Sequence, residues 1–232
     1  MDPAPLQPER LRALTLDLDD TLWPVWPTIE RAEAALLAWL ARHAPRTAAR
    51  FDREATRALR EAVSRERPEL AHDLSALRRE AIARMLAAGG DDAGLAEPAF
   101  EVFFAERQRV EFYPDALPAL RRLAARWPLL ALSNGNADIG RIGLAPWFVG
   151  SLGAREAGVG KPDARIFSAA CTRLGLAPHE VLHIGDDLRL DVHGALGAGL
   201  QAAWIRRGPA APVAAPCWHG PDLAALADAL GA

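Results

Sequence analysis

Leu14-Thr15-Leu16-Asp17-Leu18-Asp19-Asp20-Thr21 is the stretch that decides the fold. Alternation puts Leu14, Leu16 and Leu18 on one face and Thr15, Asp17 and Asp19 on the other, so it reads as a strand ending in carboxylates. Two carboxylates side by side repel each other, and nothing in an ordinary core offsets that cost. A divalent cation would, and so would a reaction in which one carboxylate attacks while another moves a proton. The stretch is a catalytic candidate on its residues alone.

Downstream, Leu22-Trp23-Pro24-Val25-Trp26-Pro27 carries too much proline for a helix or strand interior. Thr28 with Glu30 and Glu33 then opens a helix whose apolar positions Ile29, Leu36, Leu37 and Leu40 recur at helical spacing as far as Pro45. Residues 48–66, 70–88 and 97–109 repeat the pattern, and Gly89-Gly90-Asp91-Asp92 breaks it. From Tyr113 the texture changes. Short apolar strands at 129–132, 148–152, 181–184 and 201–205 alternate with helices at 115–126, 163–174, 191–198 and 222–230. Such alternation predicts a parallel sheet covered by helices, with the helical block inserted after its first strand.

The bulk properties exclude several classes. Of the 232 residues, 50% are hydrophobic and 25% charged, as in ordinary globular proteins, and the net charge of -3 gives no general attraction for nucleic acid or acidic membranes. No apolar run approaches the roughly 20 residues that span a bilayer, and Met1–Pro8 lacks a basic segment followed by an apolar one. A cytoplasmic location is the expectation. Cys171 and Cys217 stand far apart in no metal-ligand spacing and read as buried or half-buried thiols. Lys161 is the only lysine, so it marks a place where a guanidinium cannot replace a compact ammonium.

Four polar clusters fall at predicted strand ends: Asp17 with Asp19, Ser133-Asn134, Gly160-Lys161-Pro162-Asp163, and Gly185-Asp186-Asp187 with Asp191. Singly they read as a turn, a helix start or an acidic loop. Jointly, at the carboxyl ends of parallel strands, they can converge on one site.

Asp17-Leu-Asp19-Asp-Thr21, Ser133, Lys161-Pro162 and Gly185-Asp186-x-x-x-x-Asp191 resemble the four motifs of the haloacid dehalogenase superfamily. The helical block resembles that superfamily's α-helical, C1-type cap, and the likeness spans essentially the whole chain. It implies a three-layer, Rossmann-like α/β core built from residues 1–22 and 110–232, with a cap at 23–109. It also implies that Asp17 is a nucleophile toward phosphorus. Asp19 would protonate the leaving alcohol and then take a proton from water. Ser133 and the backbone N–H of Asn134 would bind phosphate oxygens, and Lys161 would balance charge. Asp17, the backbone carbonyl of Asp19, and Asp186 would hold Mg²⁺. Thr21 would order the turn, Asp191 would support the metal's water shell, and Asp20 and Asp187 would stand outside it.

Ser133-Asn-Gly-Asn136 and Lys161-Pro-Asp163 also resemble segments of the metal-free 2-haloacid dehalogenases, which lack the second acid of the first motif; Asp19 and Gly185-Asp186-Asp187 favour the phosphatases. Residues 181–192 and 195–205 resemble the bacterial riboflavin-pathway phosphatases. That likeness implies 5-amino-6-(5-phospho-ribitylamino)uracil or flavin mononucleotide as the small phosphorylated metabolite. Phosphoglycolate or a nucleotide, dehalogenation, and a non-catalytic binding protein are the alternatives. No protein partner is indicated, and the oligomeric state is open.

Trp23 and Trp26 are expected near the cavity mouth or the cap hinge, wedging cap against core or stacking on a flat heterocycle. Trp39, Trp127, Trp147, Trp204 and Trp218 are expected to pack. His183 reads as a satisfied core histidine and His193 as a residue beside the site or on the surface.

Overall fold

The computed structural model describes residues 6–208 and 216–232. Residues 1–5, the start of the segment read as lacking a leader, lie outside them. Six strands form one parallel sheet: β1 (Ala13–Leu16), β2 (Leu129–Ser133), β3 (Gly150–Gly153), β4 (Val181–Gly185), β5 (Gln201–Ile205) and β6 (Trp218–Gly220). Their order is β3-β2-β1-β4-β5-β6. Leu14 pairs with Leu129 on one side and Leu182 on the other, and Thr15 lies opposite His183. All four residues of β1 are buried, as a strand covered on both faces requires. The winding reverses at β1, so the carboxyl ends of β1, β2 and β4 border one crevice, the usual ligand position in such sheets.

The chain divides into two compact units, Met1–Pro24 with Glu111–Ala232, and Val25–Val110. The second unit is helical: α1 (Val25–His43), α2 (Pro45–Arg50), α3 (Arg53–Glu66), α4 (Leu74–Gly89) and α5 (Ala96–Arg107). Ala32, Leu36 and Leu40 fall one above another on α1 and pack with Ile82, Met85, Phe100 and Phe103. Each such buried Leu or Phe contributes about 2 kcal/mol. Asp52 caps α3 by accepting from Ala55 N at 2.8 Å, which splits the helix expected over 48–66 into two. α1 starts at Val25, three residues before the start expected at Thr28. Pro27 sits in the first turn of α1, where a missing N–H costs no intrahelical bond.

In the α/β unit the helices are α6 (Ala116–Ala124), the one-turn α7 (Ile139–Ile142) and α8 (Ala154–Ala157), α9 (Ala164–Leu174), the one-turn α10 (Gly194–Gly197) and α11 (Leu223–Ala229). The helix expected over 191–198 is a π-helical turn, Leu188–His193, running into α10. β1 stops at Leu16 rather than running to Leu18. Asp17 N adds one more bond, to Ile184 O at 2.9 Å, before the chain turns with Asp20 at φ 59°. β6 has three residues, too few for alternation to reveal it.

Arg207 fastens that turn. Its guanidinium spans both oxygens of Asp115 (2.6 and 3.0 Å), donates to Thr21 O at 2.7 Å and lies 4.0 Å from the Tyr113 ring centre. Cys171 and Cys217 are both buried and free. Among the described residues, no helix is long and apolar enough to cross a membrane.

Candidate active site

Asp17 leaves β1 with its side chain on the same face as Thr15, and Ser133-Asn134 and Asp186 stand at the ends of β2 and β4; the Lys161 cluster, expected at a strand end, lies instead in the loop between α8 and α9. Lys161 Nζ donates to Asp17 Oδ1 at 2.5 Å and to Asp191 Oδ1 at 2.6 Å, with all three side chains buried. Asp191 Oδ1 also faces His183 Nε2 at 3.0 Å, and its Oδ2 accepts from Asp187 N at 3.0 Å. An ionised carboxylate can only accept, so His183 carries its hydrogen on Nε2 and takes the Thr15 hydroxyl on Nδ1 at 2.9 Å. Thr21 Oγ1 donates to Asp186 Oδ1 at 3.0 Å, with Asp17 Oδ2 3.4 Å away.

Local sequence makes these contacts possible. A Cβ on Gly185 would lie 2.2 Å from Asp191 Cγ, so only glycine lets Asp191 close over the end of β4. Asp187 accepts from Arg189 N (2.8 Å) and Leu190 N (2.7 Å), which turns the chain so that Asp191 points back. Asn134 clamps the lysine's own backbone. Its Oδ1 accepts from Lys161 N at 2.7 Å and its Nδ2 donates to Lys161 O at 2.9 Å. Trp204 Nε1 donates to the Asp186 carbonyl at 2.7 Å.

The electrostatics are unbalanced. Burial pushes the Asp17 carboxyl well above the ordinary range; Lys161 counters this, while Asp191 and Asp186 add to it. Burial opposes the Lys161 ammonium too, but Asp17 and Asp191 outweigh it and hold its pKa above that of a free lysine. Asp191 goes the other way: against its burial, Lys161 and His183 hold it below the carboxylate range. Burial, then Asp191, push Asp186 up to about 7. Burial lowers His183, so it is a neutral donor.

One ammonium thus faces three carboxylates, leaving two negative charges if all ionise. Ligand atoms of Asp17, Asp186 and Asp191 lie within 4.8 Å of one another, an all-oxygen set suited to a hard divalent cation.

The description "haloacid dehalogenase-like hydrolase" matches residues 11–199. The chain belongs to that family. A 5-amino-6-(5-phospho-D-ribitylamino)uracil phosphatase of Escherichia coli K12, YigB, is 38% identical over 201 residues, 85% of this chain and 84% of its own. A phosphoserine phosphatase of Thermus thermophilus is 41% identical over 131 residues, 53% of each chain. Among solved structures, one titled as a 2-haloacid dehalogenase of Pseudomonas syringae pv. tomato DC3000 is 36% identical. It superposes with a TM-score of 0.85 over 95% of this chain and 98% of that one. With its curated relatives, this hydrolase is a phosphoric monoester hydrolase.

Within the hydrolase, Asp17, Lys161 and Asp186 come together as the resemblance implies. Asp191, read as supporting the metal's water shell, is the acceptor on which Lys161, His183 and Asp187 converge, and it also belongs to the Asp17–Asp186–Asp191 carboxylate cluster. The Asp19 side chain is directed to Trp23, whose Nε1 donates to Asp19 Oδ1 at 2.9 Å. Ser133 is buried, and its Oγ accepts from Gly135 N at 2.9 Å, which leaves the hydroxyl hydrogen to be donated. The Asn134 side chain had no role in the sequence reading; the structure gives it the clamp on Lys161.

The tryptophans separate. Trp23 is fully buried and cannot stack on a ligand, whereas Trp26 is 67% exposed. Trp26 lines a cavity of about 380 Å³ in the helical unit with Glu33, Arg53, Arg57 and Arg60. His193 is exposed. The signal that could have found the role of Asp191 is Gly185, a glycine at a strand end with a carboxylate six residues later.

Proposed function

We propose that this hydrolase cleaves a phosphate monoester of a small metabolite in two steps through an aspartyl-phosphate on Asp17. The observation that carries the reading is the Asp17–Lys161–Asp191 arrangement, a buried nucleophilic carboxylate whose charge is balanced by one fixed ammonium. In the first step Asp17 attacks phosphorus and the bond from phosphorus to the ester oxygen breaks. Asp19 gives its proton to that departing oxygen. Water then attacks the aspartyl-phosphate, Asp19 takes its proton, and the Asp17 carboxylate is restored. Ser133 Oγ–H and the backbone N–H of Asn134 donate to phosphate oxygens. Lys161 stabilises the charge that develops between Asp17 and the phosphate.

Asp17, Asp186 and the backbone carbonyl of Asp19 would hold Mg²⁺. Bound there, it supplies the positive charge that lets an anionic phosphate approach an anionic nucleophile. The raised Asp186 pKa fits a group waiting for a cation. The likeness to the riboflavin-pathway phosphatase of E. coli supports a phosphorylated ribityl-pyrimidine, or flavin mononucleotide, as the ester.

A panel of phosphorylated metabolites assayed with Mg²⁺ or with chelator tests this. Mg²⁺-dependent release of phosphate, with those two esters highest in kcat/KM, is expected. A generic sugar phosphate that beats both by a wide margin sinks the substrate assignment. One observation favours a second reading, the likeness to a structure titled as a dehalogenase. Chloride release from 2-chloropropionate without metal would establish it, and the Asp19 and Asp186 carboxylates argue against it.

A further inference from the structure

Trp23 is an unusual neighbour for a proton carrier. The side chain has no exposed surface, and its ring stands edge-on to Phe112, 5.6 Å between centres at 82°. Its backbone is held as well. Asp20 N donates to Trp23 O at 2.8 Å, Leu22 N to Leu18 O at 2.8 Å, and Tyr113 N to Leu22 O at 2.9 Å. Neither ring nor backbone is placed to follow a moving carboxylate. The indole N–H therefore stands at a fixed point, 2.9 Å from Asp19 Oδ1.

An indole N–H can donate and cannot accept. Asp19 Oδ1 is consequently held as an acceptor whether the carboxyl is ionised or protonated, and the acid proton is assigned to the other oxygen. A histidine, serine or water at the same point could donate or accept and would leave the choice open. Orientation of a transferring group to within a fraction of an ångström is worth orders of magnitude in rate.

We propose that Trp23 is the positioning residue for Asp19, its N–H setting which carboxyl oxygen presents the proton to the departing ester oxygen. The inference rests on the reading of Asp19 as the acid. Balance is unchanged by it. The electron pair of the broken bond from phosphorus to oxygen stays on the ester oxygen, which takes the proton from Asp19 Oδ2, and water later returns one.

Leaving-group dependence tests this, because a nitrophenolate departs without protonation and an alkoxide does not. The kcat/KM values for p-nitrophenyl phosphate and for the best-turned-over alkyl phosphate of the panel are compared across variants. Asp19→Asn, the reference, should lose on the order of 100-fold on the alkyl ester and far less on the aryl ester. Trp23→Phe should lose about 30-fold on the alkyl ester and about threefold on the aryl ester. If Trp23→Phe fails to fold, 3-benzothienylalanine at position 23 keeps the ring area and replaces the N–H with sulfur, and the same split is expected.

Equal losses on both esters in the Trp23 variants, beside a clear split in Asp19→Asn, overturn the positioning role and leave the proposed function standing. No split in Asp19→Asn, or no turnover of either ester by the unmodified protein, overturns the proposed function instead.

Discussion

Both units bury charge, and they do so in opposite ways. In the α/β unit, Asp17, Lys161, Asp191 and neutral His183 come from three distant parts of the sequence and meet at 2.5 to 3.0 Å. In the helical unit, Arg78 is buried over the Phe103 ring, 3.9 Å from its centre, and reaches Glu33 only at 3.4 Å. Glu33 is shared with Arg60. Burial lowers Arg78 to about 10. A guanidinium on an aromatic face is a packing solution, its stem apolar and its charge partly met by the ring. Three carboxylates around one ammonium pack no better than leucines would and repel each other, so stability does not explain them. Chemistry does.

The largest effect should come from the group that bears the reaction. Asp17→Asn keeps the shape and removes the nucleophile, so phosphate release should fall by at least about 1,000-fold with the fold intact by circular dichroism. Activity retained within tenfold would break the comparison at its root.

Lys161→Met at pH 8 should destabilise the protein by about 3 kcal/mol in denaturant titration, because it strands two buried carboxylates. Gly185→Ala should cost about 2 kcal/mol as Asp191 is displaced by the new methyl, with activity lost even where the protein folds.

Asp186 sharpens the electrostatic side. Its folded pKa, about 7, lies above the ordinary carboxylate value near 4. The folded state thus binds this proton more tightly than the unfolded one. The resulting stabilisation is full below about pH 4 and is lost as pH rises through about 7. A cation that replaces the proton should therefore raise Tm more at pH 8 than at pH 6, as read by thermal melts with Mg²⁺ or chelator. An equal increment at both pH values would count against Asp186 as a ligand.

The smallest effect belongs to the helical unit. Arg78→Met leaves Glu33 with Arg60 and keeps an apolar stem on Phe103, so stability should change by less than about 1 kcal/mol.

The sequence disclosed the α/β unit better than the helical one, for a physical reason. Parallel strands buried on both faces read as short apolar runs, and polar residues at their ends have few structural explanations. Asp17 and Asp186 stood out for that reason, and Lys161, in the loop between α8 and α9, stood out only as the single lysine. The hold of Asp191 on Lys161 and His183 could not be read, because these partners meet it only in the folded chain. Trp23 could be recognised as close to the nucleophile, but the direction of an indole N–H is set by the turn around Asp20 and by Phe112. The π-helical turn at Leu188–His193 has no periodic signature distinct from an α-helix over six residues. In the helical unit, spacing found the helices but not the break at Asp52, since a cap acts through one side chain.

The Asn134 clamp has a consequence for how the chain can be altered. Two hydrogen bonds to the Lys161 backbone close a loop that leaves the site after Asn134 and returns to it 27 positions later. That stretch carries α7, β3 and α8, so the small closure cost of added length, roughly 0.6 kcal/mol per doubling, applies only at its exposed turns. Gly143, at φ 87° with no atom within 4 Å of a would-be Cβ, stands on an exposed turn inside it. That turn is thus the natural place to graft a tag, a reporter or a binding segment onto this enzyme while the Asn134 clasp on Lys161 is kept.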